Sequence, residues 1–440
     1  MPSYIIRSMR KMFPQCLKLS YKDTAQQNSY VTIPRAANSY EQTETAANVD
    51  EDIIDSLTGG RLVGSVTSFE NFAECPLRYY LRYGVDLKER EEFTFSPVNF
   101  GVVLHAVIRE VCDEIKKNGE SYYLISEEKR REMVKRSVSA ITDIYQNSIL
   151  KDSSRNSFMI KRMEDLADRT IWAMGEQLKC GDFVPFVFEH KFNMEVGDGD
   201  RKQLMSGTID RVDICENDTD VYVRIIDYKT GKKDFNIVKT YYGIDIQLMV
   251  YMEAAMKLVA KMRPGKNVLP AGVFYYNISD PIVSATTESA EEIEDKIKGE
   301  LRLKGMVNSD KDIAEKMDNT EGTSLNIPVS RKADGGFDSR RSKVMNTEQF
   351  NMLGRFVDVR AVDTADRIAG GDIRRSPYKD GQFSSCDRCP YGAVCGFSVD
   401  LPGCNYRKLK KFDDEVLWNN IKEGVDENGK KMDTGAEERD

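Results

Sequence analysis

The sequence predicts an α/β fold, a mixed sheet flanked by helices. Three observations carry that prediction. A β-hairpin is legible in 204–214 (LMSGTIDRVDI) and 221–229 (VYVRIIDYK), with its turn at the polar cluster Glu216-Asn-Asp-Thr-Asp220. A helix and a strand follow, QLMVYMEAAMKLVAK over 247–261 and LPAGVFYYNI over 269–278. Ahead of the hairpin lie four segments whose apolar residues recur at helical spacing.

Residues 1–51 are polar and weakly patterned, and read as a leader or linker. From Ser65 the pattern turns helical. Ser65 and Ser68 offer caps, and Phe69, Phe72, Leu77, Tyr80 and Leu81 fall at helical intervals. Val103, Ala106, Val107 and Val111 mark a helix over 100–117, and charged helices are expected over 126–149 and 158–179. Strands dominate from Phe186 to Lys229. The charged, irregular stretch 284–346 is expected to hold helices and a mobile loop around Gly335-Gly336. A helix from about Thr347 to Ala369 stops at Gly370-Gly371. This organisation predicts one α/β domain over 52–411 and an acidic, mobile tail over 412–440.

The formal net charge of −8 is largely local, because residues 413–440 hold ten acidic and four basic side chains. The near-neutral remainder can still carry a basic groove, since net charge governs solubility more than local binding. No apolar run is long enough to span a bilayer. The basic start of the chain lacks the continuous apolar stretch of a secretory signal. Nine irregularly spaced cysteines then point to a reducing compartment and a cytoplasmic location. No Gly-x-x-x-x-Gly-Lys-Ser/Thr run occurs, so the sequence offers no phosphate loop for a nucleoside triphosphate.

Alternation places Val221, Val223, Ile225, Asp227 and Lys229 on one side of their strand. An apolar column ending in a carboxylate and an ammonium is unusual for a core strand. Asp210 stands in the same relation to Val212 and Ile214. Two aspartates and a lysine at neighbouring strand ends can hold a divalent cation and aim a water, which suggests a metal-dependent phosphodiesterase. His105, one of two histidines, lies on the helix GVVLHAVIRE and joins the candidates from a third element. An imidazole with two carboxylates suits Mg2+ or Mn2+. Gln247 and Tyr251, four apart on one helix, share a face and are candidates to meet the substrate phosphate or hold Lys229. Glu189 in FVFEHKF is a further inward-pointing candidate.

A second constellation is thiol-based. Cys386-Asp-Arg-Cys389-Pro-Tyr-Gly-Ala-Val-Cys395 places three thiols in a loop bearing glycine and proline. Four are needed for zinc or an iron–sulfur cubane. Cys404, nearby, would complete a local zinc ribbon. Cys75, in FAECPLRYY, would instead tie the start of the ordered region to its end. Spacing alone leaves both open.

Taken together, Cys75-Pro-Leu-Arg-Tyr-Tyr, Gly101-x3-His105, Gly207-Thr-Ile-Asp210, Asp227-Tyr-Lys229, Gln247-x3-Tyr251 and CDRCPYGAVCGF resemble the iron-staple nucleases of the PD-(D/E)XK superfamily, nearest to the AddB nuclease domain. The phrases SVTSFENFAECPLRYY, GVFYYNISDPIV and GGDIRRSPYKDG look similar as well, and the likeness covers roughly 52–400. The resemblance implies His105, Asp210, Asp227 and the Tyr228 carbonyl as Mg2+ ligands, with Lys229 as the catalytic lysine. It implies Gln247 and Tyr251 as the downstream nuclease motif. It selects Cys75, Cys386, Cys389 and Cys395 as ligands of one [4Fe-4S] cluster and leaves Cys404 free. It also implies hydrolysis of single-stranded DNA, on the 5′-ended strand, in double-strand-break processing and recombinational repair beside an AddA-like helicase–nuclease partner. The helicase-like region of that family has no counterpart in these residues. A non-catalytic iron–sulfur protein that binds or scaffolds DNA ends is the rival reading.

Overall fold

The computed structural model describes residues 63–88, 97–144, 154–196, 203–284, 289–401 and 404–437. The leader read at 1–51 lies outside the described residues. The chain begins with β1 (Val63–Ser65), α1 (Val66–Glu74) and α2 (Pro76–Tyr79), which runs on into a wide turn at Tyr80–Gly84. Three long helices follow: α3 (Pro97–Lys117), α4 (Glu127–Ile144) and α5 (Ser154–Lys179). Next come β2 (Val184–Val196), β3 (Gln203–Glu216), β4 (Asp220–Lys229), α6 (Ile237–Tyr241), α7 (Gln247–Met262) and β5 (Asn267–Asn277). The chain continues through α8 (Ala290–Glu300), β6 (Lys304–Asn308), α9 (Lys311–Met317), β7 (Val344–Met345) and α10 (Thr347–Ala369). It closes with β8 (Tyr378–Asp380), β9 (Phe383–Ser384), α11 (Gly392–Cys395), β10 (Arg407–Lys408) and α12 (Asp414–Glu437).

The expected mixed sheet is present, with seven strands in the order β1-β3-β4-β5-β6-β7 and β2 along the other edge of β3. Pairs β1–β3, β4–β5 and β6–β7 are parallel, whereas β2–β3, β3–β4 and β5–β6 are antiparallel. Helices cover both faces, so β4 is buried from Val221 to Tyr228 and reads as an almost continuous apolar run. One face packs Leu104, Val107, Val138 and Ile171 against Tyr228 and Tyr276. The other packs Leu248, Val250, Leu353 and Phe356 against Val223 and Ile225. No helix of the described residues is long and apolar enough to cross a membrane.

The structure departs from the sequence reading in three places. The helical pattern read from Ser65 to Leu81 is interrupted at Cys75, whose backbone is extended (φ −167°, ψ 117°). Pro76 is the cause, because its ring disfavours helical backbone in the preceding residue and starts a new helix at N1. Strands β6 and β7, too short to show a period, lie within 284–346 and extend the sheet. The tail read as mobile from 412 opens into α12. There Leu417 and Ile421 sit one turn apart and are buried on α10, which outweighs the acidic composition.

Candidate active site

The site is built at a seam in the sheet. The β3–β4 ladder runs from Arg211–Ile226 to Glu216–Val221, and β1 meets β3 only at 204–206. Residues 207–210 lie between these partners, so β3 and β4 part at Asp210 and Asp227. Asp210 Oδ2 accepts the Tyr228 amide proton at 2.7 Å. Its Oδ1 stands 3.5 Å from Nδ1 of His105 on α3. The Tyr228 ring, on the α3 face of the sheet, meets the imidazole edge-on with centroids 5.9 Å apart. Val103, Leu104 and Val107 bury the α3 face against the sheet, and this packing sets where His105 can reach.

Glu189 joins these groups. Its flanking pairs, Phe188–Arg211 and His190–Ile209, place it opposite Asp210 on the adjacent strand. Its backbone is left-handed (φ 48°), which is uncommon for a residue with a side chain and interrupts the alternation of β2. Its carboxylate lies 3.8 Å from His105 Nδ1. Ligand atoms of His105, Glu189 and Asp210 all fall within 4.8 Å of one another, the only such trio among the described residues. Two donors each about 2.1 Å from one ion can be at most about 4.2 Å apart, and the separations from His105 Nδ1, 3.5 Å to Asp210 and 3.8 Å to Glu189, fall inside that limit. The donor set, two carboxylates and an imidazole, fits Mg2+ or Mn2+ in hardness.

On the other face, Lys229 Nζ pairs with Asp227 Oδ2 at 2.5 Å and donates to Gln247 Oε1 at 3.0 Å. Gln247 Nε2 donates in turn to the Tyr251 hydroxyl at 2.9 Å. Of the seven side chains singled out in the sequence, His105, Glu189 and Asp210 form one trio, without Asp227. Asp227, Lys229, Gln247 and Tyr251 form a linked chain, with Asp210 near enough to Asp227 to raise its carboxyl. Gly207 belongs to the same arrangement, since a Cβ there would stand 2.7 Å from the Phe192 ring and 3.0 Å from Tyr251 Cε1. Gly207→Ala is expected to push both rings aside and cost about 1–3 kcal/mol, read as a lowered thermal midpoint. Gly101 has no such reason to be glycine, because its Cβ would make only ordinary contact with Thr230, at 3.6 Å.

Burial pushes the Asp227 carboxyl up to about 6, with Asp210 adding to the rise and Lys229 opposing it. Glu189 is raised to about 7, again by burial first and by Asp210 second. Burial disfavours the His105 imidazolium, but the carboxylates of Asp210, Glu189 and Asp227 outweigh it and raise that group. A site that holds protons more tightly than free carboxylates do is a site short of positive charge. A cation must displace those protons. Divalent-ion binding is therefore expected to weaken by about tenfold or more between pH 7.5 and pH 5.5, measured by titration calorimetry.

The thiols form a second group. The break before Pro76 presents Cys75, Cys389 closes a turn onto the Cys386 carbonyl at 3.1 Å, and Cys395 ends α11. Burial raises the Cys386 thiol, and Cys75, Cys389 and Cys395 are near enough to raise it further. Cys404 is buried, with its amide bonded to the Leu401 carbonyl. Hydrogen bonds already join the two segments: Leu77 N to Arg374 O at 3.3 Å, Tyr391 Oη to Leu87 O at 2.9 Å, and Arg407 to the Ala73 carbonyl.

A mixed sheet whose parted strands carry Asp210 and the Asp227-Tyr228-Lys229 run defines a nuclease-type α/β core. The chain belongs to the PD-(D/E)XK nuclease superfamily, whose family profile matches residues 64–396. It is 34% identical over 399 residues to the B subunit of the ATP-dependent helicase/deoxyribonuclease of Lachnoclostridium phytofermentans, covering 88% of this chain and 34% of that protein. The equivalent protein of Clostridium acetobutylicum is 34% identical over 391 residues, covering 87% and 34%. That of Caldanaerobacter subterraneus subsp. tengcongensis is 34% identical over 398 residues, covering 88% and 34%. The chain spans about a third of the length of these curated relatives.

Proposed function

We propose that the chain is a divalent-metal-dependent deoxyribonuclease that hydrolyses phosphodiester bonds in single-stranded DNA, within one α/β domain over 52–411. The observation that carries the reading is the convergence at one seam of the His105–Glu189–Asp210 donors and the Asp227–Lys229–Gln247 chain. His105, Asp210, Asp227 and the Tyr228 carbonyl would hold Mg2+ or Mn2+, with Glu189 beside them. A bound ion of this kind supplies charge neutralisation at the scissile phosphate and acidifies water.

The protein's own residues do the rest. Lys229 commits two of its three ammonium donors, to Asp227 and Gln247, which leaves one to orient the attacking water or meet the phosphate. Gln247 and Tyr251 keep the lysine from swinging away. Cys75, Cys386, Cys389 and Cys395 are proposed to carry a [4Fe-4S] cluster. Cys75, Cys389 and Cys395 lie near enough to Cys386 to raise its thiol, which supports a centre shared by the four.

The relatives' designation as B subunits of an ATP-dependent helicase/deoxyribonuclease supports action on DNA beside a helicase subunit. The 5′-ended strand, double-strand-break repair, a cytoplasmic location and an AddA-like partner are what the family resemblance adds to this proposal. The test incubates the purified chain with 5′-labelled single-stranded DNA in Mg2+, in Mn2+ and in chelator. Ion-dependent shortening is expected. DNA that is bound but left intact under all three conditions would favour a scaffold.

A further inference from the structure

The helix that presents Gln247 and Tyr251 has no cap of its own. Its N-cap residue is Ile246, which offers no side-chain acceptor. Asp245, one residue earlier, is already engaged, taking the Tyr275 hydroxyl at 2.6 Å and Lys233 Nζ at 3.0 Å. The missing acceptor comes from α1. Glu70 Oε1 receives the Ile246 amide at 2.9 Å and the Gln247 amide at 3.0 Å. A carboxylate at this end also complements the helix dipole.

The contact has a direction. Glu70 fixes the first turn of α7, the Gln247 side chain leaves that turn, and its Oε1 takes Lys229 Nζ at 3.0 Å. An unbroken line of hydrogen bonds and one covalent residue therefore runs from Glu70 through Gln247 to the lysine. Glu70 stands five residues before Cys75 on the helix that ends at the thiol group. We propose that Glu70 is a positioning residue for Lys229, acting through the first turn of α7 and the Gln247 side chain. Its effect on turnover rests on the nuclease reading; its effect on the lysine does not.

The experiment uses the full chain and the variants Glu70→Ala, Glu70→Gln and Gln247→Ala. Competitive acetylation with acetic anhydride, read by mass spectrometry, reports how exposed and nucleophilic the Lys229 amine is. Labelling of Lys229 is expected to rise several-fold in Glu70→Ala and likewise in Gln247→Ala. It should stay near the wild-type level in Glu70→Gln, which keeps an acceptor oxygen at the same reach. In the DNA assay Glu70→Ala should lower kcat by roughly ten- to a hundredfold with KM within about twofold, the pattern of a displaced catalytic group. Adding Glu70→Ala to Gln247→Ala should cost nothing more. If Glu70→Ala does not fold, Glu70→Asp, whose carboxylate is one methylene short, replaces it with a smaller effect in the same direction. Unchanged Lys229 labelling in the folded variant overturns the proposal, whatever the activity. Raised labelling with kcat unchanged upholds the positioning and removes Lys229 from the chemistry, while a wild-type chain without activity removes the nuclease reading alone.

Discussion

Asp227→Asn is expected to lower metal-dependent cleavage of single-stranded DNA by about a thousandfold or more, while raising the stability of the metal-free protein. The loss follows from removing a charge that pairs with Lys229 at 2.5 Å and is proposed to hold the ion. The gain follows from burial. Asp227 is 2% exposed, its carboxyl is raised to about 6, and Asp210 is a like charge beside it. An acid whose folded value lies above its unfolded one favours the folded state less and less as pH rises through the interval between them. The destabilisation is therefore absent below about pH 4 and complete above about pH 6, with a size on the order of 1–3 kcal/mol. Thermal unfolding in chelator should show the variant ahead of wild type at pH 7.5 and level with it near pH 4. Equal or lower stability at pH 7.5 would mean that the Lys229 pairing already compensates the buried charge.

Cys75→Ser should produce the largest loss of stability. The cluster proposed to join Cys75 to the 386–395 loop would close a loop of about 310 residues, and on the chain-entropy scale such a link contributes about 6 kcal/mol. The variant, purified without air, is expected to lose the visible absorbance and iron content of a [4Fe-4S] protein and to unfold far below wild type. Limited proteolysis should then cut first after α2, where the hydrogen bonds Leu77–Arg374 and Tyr391–Leu87 would remain as links to the 374–391 segment. Cys404→Ser should keep its iron. A colourless wild-type protein with stoichiometric zinc, indifferent to Cys75→Ser, would instead place the metal in a ribbon with Cys404.

The parts of this structure legible in the sequence are those whose cause is local. Alternation in VYVRIIDYK placed Asp227 and Lys229 on one face of β4, and the i, i+4 relation put Gln247 and Tyr251 together on α7. The capping box at Asn346–Gln349 and the left-handed Gly371 bound α10 where the pattern places them. The remaining features depend on tertiary contacts. Glu189 is picked out in FVFEHKF as an inward-pointing candidate, but its left-handed backbone is not, because no neighbour in sequence requires that conformation. Glu70 caps a helix 177 residues away, a relation no local pattern encodes. The helix break at Cys75 was local after all; Pro76 announces it, and the apolar spacing on either side masks it.

The parting of β3 and β4 also restricts which side chain can occupy position 210. One carboxylate oxygen is pinned by a main-chain N–H and cannot rotate away, so the other is presented to the imidazole side in a single orientation. An asparagine could accept from the Tyr228 amide only by turning its NH2 toward the His105 side, and a glutamate would overshoot the backbone donor by a methylene. The unzipped edge of the ladder thus acts as a steric and chemical filter that admits aspartate, and it fixes in advance the angle of the oxygen proposed to meet the ion.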